Sequence, residues 1–66
     1  MMEVIKKLSL RIPEEVSDSW FYSELASELK DEHPDIARTL NTIAEQETEH
    51  MNMLHRIVVD LIQNHK

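Results

Sequence analysis

The chain has 66 residues, with 13 acidic and 7 basic side chains, no cysteine and no glycine. The missing cysteines exclude disulfides, thiolate metal sites and thiol nucleophiles, and the missing glycines exclude phosphate-cradling loops. The net charge of −6 disfavours nucleic acids and anionic membranes as partners.

The small size of the chain limits what it can do alone. A chain of this length buries only about 60% of its unfolded surface and is marginally stable without a disulfide, a metal or a partner. Because cysteine is absent, only a metal or further chains remain. No apolar run approaches the ~20 residues of a membrane span, and the N-terminus lacks the apolar block of a signal peptide. The sequence therefore predicts a cytoplasmic protein with no membrane partner.

The first twelve residues, MMEVIKKLSLRI, are predicted to form an N-terminal arm, residues 1–12. Leu8, Leu10 and Ile12 alternate with polar residues, which favours a short strand or an extended arm. Residues 1–8 can equally form one or two helical turns, so the sequence leaves the structure of this arm open.

Residues 13–66 are predicted to form a hairpin of two helices. Helix 1 is predicted over about residues 13–30, because a proline suits the first helical position and Glu14 and Glu15 suit the first turn. At about 100° per residue, one face of this helix carries an apolar cluster along which Glu15 and Asp18 also project. The members of that cluster are Tyr22, Leu25, Ala26 and Leu29.

The segment KDEHPD, residues 30–35, is predicted to be the turn, since a residue before proline avoids the helical region. Helix 2 then covers about residues 35–63 and has a regular heptad pattern typical of a coiled-coil or bundle seam. One seam line is Ile36, Ile43, His50 and Ile57, and the other is Leu40, Glu47, Leu54 and Leu61. Every seam position is aliphatic except Glu47 and His50.

Glu47 and His50 are the strongest candidates for a functional site. A carboxylate in a bundle core is costly unless it is paired or bound to a metal. The Glu-x-x-His spacing stacks both side chains over one helical turn, where they can bind one cation. A carboxylate with an imidazole suits iron, manganese or zinc better than calcium. The alternative is that the pair only sets the register between helices.

Helix 1 must supply any further ligand from the same height. In an antiparallel hairpin that turns near residues 32 and 33, residues 15–18 lie opposite Glu47 and His50. Glu15 has the right phase, whereas Glu14 points about 100° away and Asp18 is a third choice. Glu15 can also serve only as an acid that complements the helix dipole.

One chain thus offers Glu15, Glu47 and His50, which is half of a familiar set. Di-iron carboxylate bundles take a Glu from each of two helices and a Glu-x-x-His from each of the other two. Two copies of this hairpin would supply that set and cover the exposed seam. The fold prediction is therefore an all-α antiparallel hairpin that dimerises into a four-helix bundle.

The chain over about residues 14–62, which includes the segment ELASELKDEHPDIARTLNTIAEQETEHMNMLHRIV, resembles the ferritin-like superfamily, especially its rubrerythrin-type and encapsulated-ferritin branches. The shared pattern is a Glu, an aromatic residue seven positions later, an acidic-Pro turn, and apolar spacing into Glu-x-x-His. The matching positions are Glu15, Tyr22, Pro34, Ile36, Leu40, Ile43, Ala44, Glu47 and His50.

The resemblance implies ferroxidase chemistry at a di-iron site between two chains, in iron storage or detoxification. Glu47 would bridge the metals, His50 and Glu15 would be terminal ligands, and Tyr22 would hydrogen-bond a ligand or the oxidant. The resemblance also implies that the chain forms at least a homodimer, and a higher even-numbered homo-oligomer beyond it. It further implies an encapsulin shell as a partner, with the protein inside that nanocompartment. Manganese or zinc could replace iron. The competing hypothesis is a metal-stabilised or metal-free oligomerisation module without turnover.

Overall fold

The computed structural model describes residues 1–64 and consists of two antiparallel helices, α1 (Met2–Leu29) and α2 (Pro34–Asn64). No strand occurs within the described residues. The predicted all-α helical hairpin is therefore confirmed, although residues 65–66 of the predicted hairpin domain lie outside the described residues. The hairpin is elongated: its radius of gyration is 15.4 Å, against about 11 Å for a compact domain of this length.

The first helix begins earlier than predicted. α1 starts at Met2 and continues through Pro13, so the predicted start at Pro13 and the extended reading of residues 1–12 are wrong. A proline inside a helix removes one hydrogen bond and costs ~3 kcal/mol. Ile5 is buried and Leu8 is half-buried, at the spacing that places them on one helix face. The burial of this face offsets the cost of the proline. This is a tertiary effect, and the local sequence, in which proline favours the first position of a helix, does not show it.

The turn and α2 agree with the sequence to within one residue. The backbone N–H of His33 donates to the carbonyl of Leu29 at 2.7 Å, and the N–H of Ala37 donates to the carbonyl of His33 at 2.9 Å. Pro34 occupies the first position of α2, where its missing N–H costs nothing. Within residues 1–64, neither helix has an apolar stretch long enough to cross a membrane.

The interface between the helices is narrow and built mainly from small side chains. The residues buried in it are Ile5, Glu15, Ala26, Ala37, Ala44 and Val58. Two members of the heptad line that contains His50, namely Ile36 and Ile57, remain 47% and 44% exposed. α1 therefore covers the predicted seam only in part.

A group of hydroxyls sets the register of the two helices near their middle. Ser19 Oγ on α1 donates to the carbonyl of Ala44 on α2 at 3.0 Å and lies 3.0 Å from Thr48 Oγ1. Thr48 also donates to the Ala44 carbonyl, at 3.2 Å. Thr48 directly follows Glu47, and Ser19 lies one turn beyond Glu15 on α1. The register that these bonds establish therefore brings Glu15 to the height of Glu47.

Replacing Ser19 with alanine is expected to destabilise the protein by about 1 kcal/mol, because it removes a hydrogen bond between the helices. Thermal unfolding of the Ser19→Ala variant measures this loss. Ser23→Ala is the matched control, since Ser23 is exposed one turn further along α1. Equal effects of the two substitutions would contradict the register role of Ser19.

Candidate metal centre

Glu15 is the buried acid of the hairpin. Its side chain lies near the middle of α1, and the residue is only 7% exposed. The Oε1 atom is 3.5 Å from Nη2 of Arg11, whose side chain is 55% exposed. The Oε2 atom is buried and has no hydrogen-bond partner among the described residues. A buried carboxylate oxygen without a hydrogen-bond partner is costly, and a bound cation would relieve this cost.

Glu47 and His50 approach Glu15 from α2. His50 Nδ1 lies 3.7 Å from Glu15 Oε2, and one ligand atom from each of the three side chains lies within 4.8 Å of the other two. The two residues of α2 are three positions apart and therefore stack on one face. The structure thus brings together the three residues predicted from the sequence. That they bind a metal remains a prediction.

The rival acids of α1 lie outside this group. Glu14 is exposed and forms an ion pair with Arg11, and Asp18 is exposed as well. On α2, Glu45 and Glu49 are exposed and lie outside the group as well. Among the described residues, only the Glu15, Glu47 and His50 group has metal-binding geometry.

Tyr22 lies two turns beyond Glu15 on the same face of α1. It is half-buried, and its ring contacts that of Phe21 edge-on, with the ring centroids 5.4 Å apart. The predicted hydrogen bond from Tyr22 to a ligand or oxidant is not among the contacts of the described residues and remains a prediction.

The surroundings of Glu47 favour its protonated form when no metal is bound. Hydrogen bonding to Glu15 raises the pKa of Glu47, and partial burial raises it further. The negative charges of Glu15 and Asp18 act in the same direction, whereas His50 lowers this pKa. Two carboxyl groups so close together cannot both be ionised without cost. A cation would replace the shared proton and remove this repulsion.

The raised pKa of Glu47 predicts how the stability of the metal-free protein depends on pH. The stabilising contribution is complete below the ordinary value of 4.5 and is lost as the pH rises through the higher pKa of the folded state. Thermal unfolding of the metal-free wild type and of Glu47→Gln should be compared from about pH 4 to pH 7. The stability of the wild type relative to the variant should fall with rising pH. A difference that did not change with pH would contradict the interaction of Glu47 with Glu15.

Arg11 is the residue of this site that the sequence reasoning missed. It pairs with both Glu14 and Glu15 and, with His50 and Met53, lines an open groove beside the acids. Its position four residues before Glu15 is a known signal for a pair on one helix. That signal was hidden because the predicted helix began after Arg11, at Pro13.

The donor set fits a transition metal but is incomplete in one chain. Two carboxylates and one imidazole suit iron, manganese or zinc, and the unpartnered Oε2 of Glu15 is a free acceptor at the centre of the group. Three side chains leave coordination positions open. The side chain of His50 is 56% exposed, so the group opens to the surface, where other ligands can reach it.

Comparison with known proteins assigns the chain to a family. The family model described as Rubrerythrin matches residues 6–66, which is nearly the whole chain. The match includes residues 6–12, which lie in α1. A search of curated proteins and a search of solved structures each give no significant match.

Proposed function

Because the chain belongs to the rubrerythrin family of the ferritin-like superfamily, we propose that two copies of the hairpin form a di-iron site that oxidises Fe(II). The observation that carries this proposal is the convergence of Glu15, Glu47 and His50 across the two helices around a buried carboxylate oxygen without a partner. Rubrerythrin-type domains typically bind iron, and this donor set suits it.

The ligand count supports the involvement of two chains. Di-iron carboxylate bundles use two separate Glu residues and two Glu-x-x-His pairs. One chain contributes one Glu, Glu15, and one such pair, Glu47 with His50. A second copy related by a two-fold axis contributes the other half.

The exposed surface supports the same conclusion. The isolated chain exposes 5284 Å², whereas a compact monomer of 7.8 kDa exposes about 4,400 Å². Part of the excess lies beside the acids, where Met53 and Ile57 line the groove that also contains Glu15 and His50. Met53 is 53% exposed and Ile57 is 44% exposed. A second copy bound in this groove would cover the apolar surface and, by the same contact, complete the metal site.

In the proposed dimer, each residue of the site would have a distinct role. Glu47 would bridge the two metal positions, since each position needs more oxygen ligands than one chain provides. His50 would supply the terminal nitrogen, and Glu15 a terminal carboxylate held in place by Arg11. Tyr22 would donate a hydrogen bond to a ligand or to the oxidant. With Fe(II) bound as substrate, the site transfers electrons from iron to oxygen or peroxide.

The biological setting extends this proposal. Oxidation of Fe(II) serves iron storage or detoxification. An open assembly of hairpins has no interior in which mineral can collect, so storage calls for a higher even-numbered oligomer within an encapsulin shell. Manganese and zinc remain competing metals, since His and carboxylate ligands accept both.

Oxidation of Fe(II) by the metal-free protein tests the proposed activity. Fe(II) is added without oxygen, oxygen is then admitted, and oxidation is followed by absorbance alongside a protein-free sample. We expect Fe(II) to be oxidised faster with protein than without it. The fast phase of oxidation should end after about one Fe(II) per chain has reacted. Binding without faster oxidation, by oxygen or by peroxide, would contradict the ferroxidase activity and favour a metal-stabilised assembly.

A second candidate function is a metal-free oligomerisation module. The contact between His50 and Glu15 at 3.7 Å favours it, because the two side chains can pair without a metal. In that case the oligomer would have the same stability before and after treatment with a chelator. A metal-dependent oligomer would contradict this candidate.

A further inference from the structure

We infer that Arg11 is a built-in counter-ion of the metal site, which stabilises the hairpin without metal and weakens the binding of cations to Glu15. This inference rests on the metal site of the proposed function, and it concerns neither the number of chains nor the oxidation of iron. A guanidinium has only hydrogen-bond donors and cannot bind a metal. Arg11 therefore acts through Glu15, as a positioning residue.

The guanidinium of Arg11 contacts two neighbouring acids of α1 at once. Its Nη1 atom pairs with Glu14, and its Nη2 atom lies 3.5 Å from Oε1 of Glu15. The other oxygen of Glu15, Oε2, lies 3.7 Å from His50 Nδ1 and has no hydrogen-bond partner among the described residues. The two oxygens of Glu15 thus have different neighbours. One lies beside a positive charge of the chain itself, and the other is left for an added cation.

Arg11 is the one basic side chain, lysine or arginine, that pairs with an acid in the part of the chain that the structure describes. Its partner Glu15 is buried, and a buried carboxylate is costly unless a positive charge is paired with it. A guanidinium does not lose its proton in a protein. Arg11 therefore offsets the charge of Glu15 whether or not a metal is bound.

The contact between Arg11 and Glu15 depends on the continuation of α1 through Pro13. Residues four positions apart face each other only within a helix, and α1 is unbroken from Met2 to Leu29. An extended arm over residues 1–12 would carry Arg11 away from Glu15. The first turns of α1 thus contribute to the site as well as burying Ile5.

The charge of Arg11 opposes an added cation at the same carboxylate. Like charges a few Å apart repel each other, and the repulsion grows with the charge of the ion. The Arg11 side chain is 55% exposed and lines the groove that also contains Glu15 and His50, so water and salt reduce this repulsion. We expect Arg11 to lower the affinity for a divalent cation by about two- to tenfold.

Titration of the metal-free protein with Zn(II) tests the effect on affinity, because Zn(II) binds without being oxidised. Arg11→Gln should bind Zn(II) about two- to tenfold more tightly than the wild type. Arg11→Met, a second neutral variant, should give the same result. Arg11→Lys keeps the charge and should stay close to the wild type. Lys7→Gln is the matched control, since it removes the same charge from an exposed position one turn before Arg11 and should change the affinity less.

The salt dependence of this gain in affinity separates charge from packing. Raising the salt concentration from about 0.1 M to about 1 M shortens the Debye length from about 10 Å to about 3 Å. The ratio of the Zn(II) affinities of Arg11→Gln and the wild type should therefore fall towards one. An effect of packing would leave the ratio unchanged.

Thermal unfolding of the same proteins without metal tests the effect on stability. Arg11→Gln should lower the unfolding temperature by about 4–8 °C, because buried Glu15 loses the charge paired with it. In a chain that also carries Glu15→Leu, Arg11→Gln should have a smaller effect, since only the exposed pair with Glu14 is then lost. Equal effects in the two backgrounds would overturn the pairing of Arg11 with Glu15.

The outcomes distinguish this inference from the proposed function. Tighter Zn(II) binding by both neutral variants, together with lower stability without metal, supports the counter-ion. Unchanged or weaker binding by these variants, beside normal binding by the wild type, overturns the inference and leaves the metal site intact. A gain in affinity that salt does not reduce overturns it as well. A wild type that binds no Zn(II) overturns the inference and the proposed metal site together.

Discussion

Replacing Glu47 with alanine is expected to abolish metal binding and Fe(II) oxidation. Glu47 belongs to one group with Glu15 and His50, and in the proposed dimer it would be the ligand with access to both metal positions. Even residues that only support a ligand cost 10- to about 100-fold in affinity when changed, so loss of the ligand itself should cost at least about 100-fold. Titration of the metal-free variant with Fe(II) under anaerobic conditions measures this loss, and His50→Ala should behave in the same way.

Glu49→Ala is the matched control for this prediction. It removes the same charge two residues away, from an exposed position outside the metal-binding group. It should leave affinity and oxidation close to those of the wild type. A Glu47→Ala protein that still bound iron normally would refute the assigned site, and equal losses in both variants would indicate a general effect of charge.

Replacing Glu15 with leucine is expected to change stability and metal binding in opposite directions. Glu15 is 7% exposed and has an oxygen without a hydrogen-bond partner. Leucine has no polar group to bury, so the substitution removes the cost of the unpartnered oxygen and should stabilise the metal-free protein by about 1–3 kcal/mol. The same change removes a ligand, so metal should no longer raise the unfolding temperature. Thermal unfolding with and without Fe(II), in the absence of oxygen, measures both effects.

Glu14→Leu is the matched control for Glu15. Glu14 is the adjacent acid, but it is exposed and forms an ion pair with Arg11. Its replacement should change stability by no more than about 0.5 kcal/mol and should leave metal binding intact. If Glu15→Leu kept its metal while Glu14→Leu or an Asp18 variant lost it, the assignment of the α1 ligand would be wrong.

The substitution Glu15→Leu is expected to raise the stability of the metal-free protein and to lower its affinity for metal, because the site itself is unfavourable without a cation. The metal-free hairpin holds close carboxyl groups, one of them buried, in a chain whose core contains few large side chains. Such an arrangement is unfavourable until a cation neutralises it. Metal binding at this site would therefore raise the stability of the protein, because a ligand that binds only the folded state stabilises it.

The sequence was sufficient to predict the hairpin, α2 and the three candidate ligands. Helix 2 has a long regular heptad pattern in which Glu47 and His50 are the only polar interruptions. The short turn at Pro34 then determines which part of α1 lies opposite them. Because these signals are local or follow from simple geometry, one sequence contains them.

Two features needed the structure because they depend on tertiary contacts. The continuation of α1 through Pro13 depends on the burial of Ile5 in the interface between the helices. The only local signal for it is the spacing of Arg11 and Glu15, which the proline outweighs. Sequence spacing also cannot tell which side of a heptad seam faces the chain's own hairpin. The structure leaves Ile36 and Ile57 largely uncovered, and that exposure identifies the face proposed for the second copy.

Native mass spectrometry of the iron-loaded protein tests the central claim most directly, because it reports the oligomer and its metal content together. The proposed site predicts a dimer, or a larger even-numbered oligomer, that contains about one iron per chain. It also predicts that Glu47→Ala loses the iron while Glu49→Ala keeps it. An iron-bound monomer, or an iron-free dimer that is indifferent to chelator, would contradict a di-iron site shared between two chains.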